Sequence, residues 1–593
     1  MISPVISRTG PSRQRGALIF ITPIVISAVL LMIALALDGA RLYSLRSEMQ
    51  SQVDAAATAA ADAAQACGGD TITLATMSQR ALAAAQAQGF SGNPDDLVVT
   101  PGLLEAGSGD EVAFHAVPDL AQSNATHVRY QRSEPISRLL PESVLGSVTL
   151  EASAAVRREV VATISAAGST AGVDGGLLGA LLGGVLGQPG YSLDATDLAS
   201  IGNTLFSVGD LLADLGVDQL EDALPLGADE LATAIRNVAG AATPAGDLAG
   251  RLLSANGIES VAVSDVISAL ADTRVPSDAN VRAYDLLVSL ALNVLQQQQL
   301  LSGNPLVLNN LAPLGLPLVS AIDDSSLEIR LYVNRPPTVA IGPARQNSNG
   351  DWLTTFRAPD LSLEVDVSAG LPTINLLGLA EFGIGSLQVP LSVDLGGGSG
   401  ALVSARCARG GTNSVQFGMA LERDALELGT GQVDTATGAL VPDTLSVQVG
   451  HLKLLAGLLT LDPAVGADIV VDGSVGSAST VSQVTPAYPL YCGPSGCERM
   501  VYDASGGGLS SADFYAQVSD LQVLGASVDT SLINSLLAVV EGLVNDITTS
   551  VLNSIVNPLA EALGVGIGGM QVSIESATQQ GSQLVEGVPI LQN

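Results

Sequence analysis

The sequence predicts an α+β fold whose first element is a transmembrane helix. Three features support this prediction: an uncharged apolar run near the N-terminus, an alanine-rich stretch directly after it, and later segments of alternating apolar residues broken by glycine, proline and aspartate. In chain order we expect a single-pass helix extended into a long shaft, a small antiparallel sheet, a helical insert, a β-rich sandwich-like region and C-terminal amphipathic helices. Apolar residues make up 47% of the 593 residues, which is enough to bury a core and excludes a disordered acidic chain.

The apolar run is long enough to cross a membrane. Residues 17–37 comprise 21 uncharged residues, and a helix of that length spans about 31 Å, close to the ~30 Å hydrocarbon core of a bilayer. Pro23 lies inside the run, where a transmembrane helix tolerates a kink. A secretory signal has a shorter apolar region of about 7 to 15 residues. We therefore predict an uncleaved anchor, with cleavage near Ala36 as the alternative.

The distribution of charge predicts the topology. Residues 1–16 form a basic tail that contains Arg8, Arg13 and Arg15, and no acidic residue precedes Asp38. Because basic flanks stay on the cytoplasmic side, we expect a cytoplasmic tail and a body on the other side of the membrane. The chain has 24 basic and 58 acidic residues and a net charge of −34, so nucleic acid is not an expected partner.

The helix is predicted to continue beyond the membrane as a shaft. Leu42, Leu45, Met49 and Val53 recur every three or four residues, and an alanine-rich run follows until Gly68 and Gly69. Two interpretations of this apolar stripe are open: it packs against the body of the same chain, or against a partner helix. The first is favoured, because a stripe alone does not identify its partner.

The N-terminal stretch resembles a known family. The segments "RGALIFITP", "ALDGARLY" and "LRSEMQSQVDAAATAAADAA" follow one another as in the signature of TadE/TadG-like Flp pilus-assembly proteins, and of the TadG branch in particular. The matching positions, besides the alanine block, are Gly16, Pro23, Asp38, Arg41, Gln52 and Asp54. Residues 148–187 and 559–577 are more weakly similar to regions of long TadG-like chains.

The resemblance implies a bacterial inner-membrane protein with its N-terminus in the cytoplasm and its body in the periplasm, which helps to assemble tight-adherence pili. Its implied partners are the inner membrane and other pilus-assembly proteins, contacted through the shaft helix or the β-rich body. Neither enzyme activity nor a cofactor is expected. Ile21 stands where a processed prepilin would carry glutamate after a cleaved Gly16, so processing as a pilus subunit is not expected.

The sequence predicts six parts. They are a cytoplasmic tail (1–16), a transmembrane helix (17–37), a TadE/G-like periplasmic helix with a pilin-like small antiparallel sheet (38–170), a helical insert (171–320), a β-rich domain (321–525), and amphipathic helices with a final strand (526–593). The oligomeric state and the strand order stay open.

Four cysteines fit a chain in the oxidising periplasm. Cys492 and Cys497 flank a Gly-Pro-Ser-Gly turn, which favours a local disulfide. Cys67 and Cys407 form a possible second pair or stay free.

No catalytic, cofactor or metal residues are predicted. His115, His127 and His451 lie in strand-like segments without a partner motif, and no Asp-x-Ser-x-Ser metal motif is complete at Asp360 or elsewhere. Two alternatives to an assembly protein remain: an anchored envelope enzyme or ligand-binding protein with a site in the β-rich region, and a secreted adhesin. A cleft that converges on His451 or His115 would favour the first, and a mature N-terminus after the apolar run would favour the second.

Overall fold

The computed structural model of the chain describes residues 17–106, 112–138, 141–166, 175–188, 190–269, 275–308, 327–370, 374–376, 380–383, 386–409, 413–423, 426–434, 438–442, 445–449, 451–454, 459–461, 465–475, 479–484, 488–490, 500–503, 515–523, 526–527, 534–563, 565–566, 569–588 and 590–591. By contacts, the chain divides into two compact units. Unit 1 comprises Met1–Ala64, Ile72–Arg158 and Ser582–Asn593, and unit 2 comprises Gln65–Thr71 and Glu159–Gly581. The six parts predicted from the sequence reflect changes in the residue pattern along the chain. As a division into domains, they stay a prediction.

The α-helices are α1 (Ala17–Ala61), α2 (Gln65–Gly68), α3 (Leu74–Ala87), α4 (Glu142–Leu145), α5 (Gly175–Val185), α6 (Ala195–Asn203), α7 (Val208–Leu215), α8 (Leu220–Ala223), α9 (Ala228–Ala239), α10 (Pro244–Leu252), α11 (Val263–Val266), α12 (Ala283–Ser302), α13 (Asn534–Val551) and α14 (Asn557–Leu563).

The strands up to residue 370 are β1 (Leu97–Ala106), β2 (Val112–Ala116), β3 (Ala125–Pro135), β4 (Ser147–Arg157), β5 (Val160–Ser165), β6 (Leu205–Ser207), β7 (Ile267–Ala269), β8 (Asn280–Arg282), β9 (Leu306–Leu308), β10 (Glu328–Arg335), β11 (Val339–Gly342), β12 (Thr355–Ala358) and β13 (Asp360–Gly370). The later strands are β14 (Ile374–Leu376), β15 (Ala380–Gly383), β16 (Ser386–Asp394), β17 (Gly398–Arg406), β18 (Ser414–Arg423), β19 (Leu426–Val433), β20 (Leu440–Pro442), β21 (Leu445–Val449), β22 (His451–Leu454), β23 (Leu459–Leu461), β24 (Val465–Val475), β25 (Ser479–Val484), β26 (Tyr488–Pro489), β27 (Met500–Asp503), β28 (Tyr515–Val523), β29 (Ala526–Ser527), β30 (Val565–Gly566), β31 (Gly569–Gln579), β32 (Gln583–Glu586) and β33 (Ile590–Leu591).

Unit 1 packs two helices on one face of a sheet. The described strands of this sheet have the order β32-β4-β3-β1-β2-β33, and all neighbours are antiparallel except β2 and β33. The core between helices and sheet joins Met49, Val53 and the alanines of α1 to Met77 of α3 and to Val128 and Tyr130 of β3. The apolar stripe of the shaft therefore packs against the body of its own chain.

The two halves of α1 differ in exposure. From Ile21 to Ile33 every side chain is exposed, whereas Val53, Ala56 and Ala57 are completely buried. Within the described residues, α1 is the helix that is long and apolar enough to span a membrane. Its exposed half coincides with the uncharged run.

The prediction that the shaft helix continues to Gly68 is wrong, because α1 ends at Ala61 and the short α2 follows. The backbone N–H groups of Ala63 and Ala64 bond carbonyls three residues earlier, which tightens the last turn. Arg80 also donates from Nη1 to the carbonyl oxygen of Asp62 at 2.8 Å. A side chain of α3 thus occupies a carbonyl that a longer helix would have used.

The second face of the unit 1 sheet is crossed by the last segment of the chain. β32 pairs with β4 at one edge and β33 pairs with β2 at the other edge. Between them, Val588 packs with Leu104, Phe114 and Ala155. The two short strands therefore form a strap over this face.

Unit 2 contains several sheets and a helical region. The described strands form sheets of order β29-β28-β24-β19-β16-β13-β10-β9, β27-β31-β5-β11-β7, β12-β17-β18-β25, β14-β15-β22-β23 and β6-β8. β5 pairs antiparallel with β31, so the two stretches that are weakly similar to long TadG-like chains are neighbours in space. The prevalence of antiparallel pairing, together with the separate helices, confirms the predicted α+β class.

The helical region of unit 2 has a leucine-rich core. Leu181 of α5 and Leu292 of α12 are completely buried, so the glycine-rich stretch near residue 180 is a buried helix. Within the predicted helical insert, α11 stops at Val266 and the chain continues as the strand β7, which pairs in parallel with β11. The β-branched Val266 and Ile267 favour this change. α13 and α14 are joined by a π-helical turn, Leu552–Val556, instead of forming two separate helices.

Candidate functional site

Two of the residues that carry the family resemblance, Asp38 and Arg41, lie where α1 leaves its apolar run. Asp38, the first charged residue after the run, is only 7% exposed. Its Oδ1 accepts a long hydrogen bond, 3.4 Å, from the backbone N–H of Arg138. Its Oδ2 is buried and has no hydrogen-bond partner among the described residues. Asp38 therefore fixes the chain after β3 to the helix at the end of the apolar run.

Arg41 makes the second contact, one turn along α1. Its guanidinium pairs with Glu134 of β3 at 3.1 Å and donates to the carbonyl oxygen of Pro135 at 2.5 Å. Glu134 also pairs with Arg132 at 2.7 Å. The Arg41 and Glu134 side chains are 19% and 8% exposed, so this ion pair is shielded more than a surface pair. We call Asp38, Arg41, Glu134, Pro135 and Arg138 the junction.

The residue periods of the helix and of the strand explain why these side chains meet. Positions 38 and 41 lie three residues apart and share a helix face. In β3, Thr126, Val128 and Tyr130 point to the helices, and the period of two places Glu134 on the same face. Sequence reasoning missed Glu134 and Arg138, although this alternation in β3 was the signal that could have found Glu134.

Gln50, Gln52 and Asp54 continue the polar contacts along the shaft. Gln50 Nε2 donates to Asp54 Oδ1 at 2.8 Å and to the carbonyl oxygen of Ser153 in β4 at 3.1 Å. Burial raises the pKa of Asp54, the Gln50 hydrogen bond lowers it, and the charge of Glu586 raises it further, for a net increase. Gln52 is 5% exposed and lies within 3.5 Å of Glu48.

The alanine block allows close contact between α1 and α3. Ala57, Ala60 and Ala61 are completely buried and pack in one cluster with Ala81 and Ala85. Alanine favours the helix and has no bulk beyond Cβ, so the two helices approach closely. At the end of α1, Asp62 forms an ion pair with Arg158.

The remaining signature positions have different places. Pro23 lies within α1. Gly16 and the three predicted topology determinants, Arg8, Arg13 and Arg15, lie outside the described residues.

Cys67 and Cys407 form a disulfide bond in unit 2. Neighbouring backbone bonds support it: Cys407 N–H donates to the carbonyl oxygen of Cys67 at 3.1 Å and Gly69 N–H to that of Ala405 at 2.8 Å. The alternative that these two cysteines stay free is therefore wrong. Cys492 and Cys497 lie outside the described residues, so their pairing stays a prediction.

The predicted non-catalytic histidines lie in strands. His127, in β3, is 2% exposed beneath the strap, with Nε2 3.2 Å from the carbonyl oxygen of Val588 and the ring against Phe114. Burial lowers the pKa of His127, which favours the neutral ring as a donor to that carbonyl. His115 lies in β2 and His451 in β22.

A buried polar network occupies unit 2. Ser165 of β5 donates to Asp285 Oδ2 at 2.6 Å and lies 2.9 Å from Ser573 Oγ. Glu575 forms an ion pair with Arg282, and both side chains are less than 7% exposed. Because these groups pair with one another away from solvent, the network holds β5, β31 and α12 together and offers no surface to a substrate.

Two open pockets in unit 2 are candidates for ligand binding. The larger, about 450 Å³, is lined by Tyr191, Asp197, Asp247 and Arg251. Arg251 pairs with Asp247 at 2.7 Å, bonds Gln188 Oε1 at 2.8 Å and stacks over Tyr191. Burial raises the pKa of Tyr191 to about 12, so its hydroxyl stays protonated. These groups engage one another. The second pocket, about 190 Å³, is lined by apolar and polar residues that include the amides Gln296 and Gln299 of α12 and Asn334 of β10.

The described residues contain no group of three His, Cys, Asp or Glu side chains placed to hold a metal ion. The incomplete motif at Asp360 is engaged in the sheet: its carboxylate accepts from Arg335 at 2.9 Å and from Asn334 at 3.1 Å. The expectation of a non-enzymatic chain without a metal stays a prediction.

Comparison with known proteins locates one similarity. No curated protein and no solved structure matches the chain. Residues 16–64, a range that includes all of α1, match the family model described as "Putative Flp pilus-assembly TadE/G-like". The matched range contains Asp38, Arg41, Gln52, Asp54 and the alanine block. Over this N-terminal segment, the chain is similar to TadE/G-like Flp pilus-assembly proteins.

Proposed function

We propose that the protein is a membrane-anchored component of the Flp pilus-assembly machinery, of the TadG type, that acts through protein–protein contacts and not through catalysis. The observation that carries the proposal is the match of residues 16–64 to a TadE/G-like domain on a helix whose first half is apolar and exposed. In this proposal residues 17–37 cross the bacterial inner membrane, residues 1–16 stay in the cytoplasm, and the rest of both units lies in the periplasm.

The junction supports an anchor that is mechanically coupled to its body. Immediately beyond the run, Arg41 ties the helix to β3 and Asp38 ties it to Arg138, just after β3. Farther along, Gln50 ties it to β4 and the alanines pack against α3. A force on the sheet of unit 1 is therefore passed to the membrane helix through several contacts. That property suits a component that holds partners at the membrane.

The partner surface that this proposal favours is the exposed side of the shaft. Tyr43 is 78% exposed, just beyond the apolar run. Ser47 and Ser51 are exposed one and two turns farther. Such a surface binds other assembly proteins without needing a catalytic group.

Fractionation with N-terminal mass spectrometry tests the anchor. The protein is isolated from wild-type cells and from cells that lack the prepilin peptidase. An intact N-terminus in the inner-membrane fraction of both strains is the expected result. A soluble product cut near Ala36 would support the secreted adhesin, and a peptidase-dependent cut after Gly16 would indicate a pilus subunit.

Site-specific photocrosslinking tests the partner surface. A photoreactive residue at Tyr43 is expected to capture another protein of the pilus machinery in cells that assemble pili. The matched control carries the same photoreactive residue at Thr58, which is exposed at the far end of the shaft. Equal capture from both positions, or none from Tyr43, would count against a partner surface near the membrane.

A further inference from the structure

The membrane boundary can be placed along α1. The uncharged run ends at Leu37, whose side chain is 63% exposed, and Asp38 is the first charged residue. Charged groups stay out of the hydrocarbon core, so the boundary lies at this turn of the helix. This placement rests on the proposed function, in which the run crosses the membrane.

The connection between β3 and β4 is held at the level of that boundary. Arg41 bonds the carbonyl oxygen of Pro135, the last residue of β3, and Asp38 bonds the N–H of Arg138. The connection that follows β3 therefore runs back along α1 toward the apolar run, by the length of three helical residues or about 4.5 Å. The N–H of Ile136 bonds the carbonyl oxygen of Gly146, so α4 lies beyond the last pairing of the hairpin.

We call residues 136–138 and 141–146 the hairpin tip, and this tip has the surface chemistry of a lipid contact. Val144 of α4 is 66% exposed, and the side chain of Arg138 is exposed as well. An exposed apolar side chain and an exposed guanidinium on one short connection suit the zone where acyl chains meet phosphates. Glu142 offsets the charge of Arg138, so apolar contact and not net charge provides the attraction.

We propose that the hairpin tip rests on the membrane interface and gives unit 1 a second lipid contact beside α1. With contacts at the helix and at Val144, the sheet has a fixed orientation to the bilayer. A single helix would leave the sheet free to tilt. This surface contacts the boundary between lipid headgroups and acyl chains, on the side of the membrane where the two units lie.

Tryptophan quenching by brominated lipids tests the contact in the full-length protein. Trp352 is the single tryptophan of the chain, so Trp352→Phe provides the background. Into it are placed Val144→Trp, Leu30→Trp in the apolar run, and Val98→Trp as the matched control. Val98 is an exposed valine, 44%, of the same sheet. The residues that face Val98 across the neighbouring strands lie near Gln50 of α1. Gln50 is about 18 Å along α1 from Asp38.

The variants are reconstituted in vesicles of phosphatidylcholine and phosphatidylglycerol brominated near the glycerol end of the acyl chains. Leu30→Trp and Val144→Trp are expected to lose emission, and Val98→Trp to keep it. If Leu30→Trp is quenched and Val144→Trp behaves like Val98→Trp, the interface contact is refuted while the anchor stands. If Leu30→Trp is not quenched either, the anchor fails and this inference fails with it.

Discussion

The two halves of α1 show one helix adapted to two surroundings. From Ile21 to Leu37 the side chains are exposed on every side of the helix except at the half-buried Ala34, with Leu30 at 60% and Leu37 at 63%. In the half from Asp38 to Ala61, one face is buried against α3 and the sheet and the other is polar. The backbone is continuous, so the difference lies entirely in the side chains and in what surrounds them.

This contrast separates two roles for apolar residues. In the second half, burial inside unit 1 removes apolar surface from water, about 25 cal/mol for each Å². In the first half no described protein group provides that burial, and a lipid environment would supply it. Asp38 and Arg41 lie between the halves, where they contact the other residues of the junction.

A charge in the exposed half is the strongest test of this contrast. We expect Leu30→Asp to cost about 3 kcal/mol of membrane insertion, because a carboxylate at the centre of a transmembrane helix is poorly accommodated. The measurement is the fraction of protein that resists alkaline extraction from membranes. Tyr43→Asp, at an exposed position outside the run, is the control and should leave this fraction unchanged. Equal extraction of the two variants would contradict a membrane role for the first half.

A larger side chain should destabilise the protein in the packed half of α1 and have no effect in the exposed half. Ala57 is completely buried in the cluster with α3, so Ala57→Leu is expected to destabilise unit 1 by about 1–3 kcal/mol through overpacking. Hydrogen exchange of the α3 amides in detergent reports this loss. Ala28→Leu makes the same change in the exposed half and is expected to leave exchange unaltered. If both variants exchange alike, close packing does not distinguish the halves.

Loss of the junction ion pair should have a smaller effect. Arg41→Gln leaves Glu134 with Arg132 as its remaining described ionic partner, so we expect a loss of about 1–2 kcal/mol. The readout is urea unfolding in detergent, with hydrogen exchange of β3 to locate the change. Arg46→Gln, at an exposed position of the same helix, should change stability by less than about 0.5 kcal/mol. A similar loss for both would assign no special role to the junction.

The sequence could predict what depends on neighbours along the chain. Periodicity from Leu42 to Val53 predicted the apolar stripe, and the alternation of apolar residues predicted a small antiparallel sheet before residue 170. Partners far apart in sequence were out of reach: Val160 pairs with Gln579, and Ala155 with Val585. Many strands of similar valine, leucine and serine content compete for such pairing, so local pattern cannot select among them. The Cys67–Cys407 bond, across 340 residues, was left open for the same reason.

The smallest expected effect concerns Asp54, which separates the polar from the buried face of the packed half. Its pKa is raised in the folded state, chiefly by burial, so the folded protein binds this proton more tightly than the unfolded chain does. The resulting stabilisation is present below 3.8, the ordinary pKa, and is lost as the pH rises through the raised pKa. Asp54→Asn lacks this titration, so its stability relative to the parent protein should increase over that pH window. Urea unfolding at several pH values measures the difference. Glu586→Gln removes one cause of the raised pKa, so in that variant the pH at which the stabilisation is lost should move toward 3.8. If the parent protein and Asp54→Asn have the same pH dependence of stability across this window, burial in this half of the helix does not extend to Asp54.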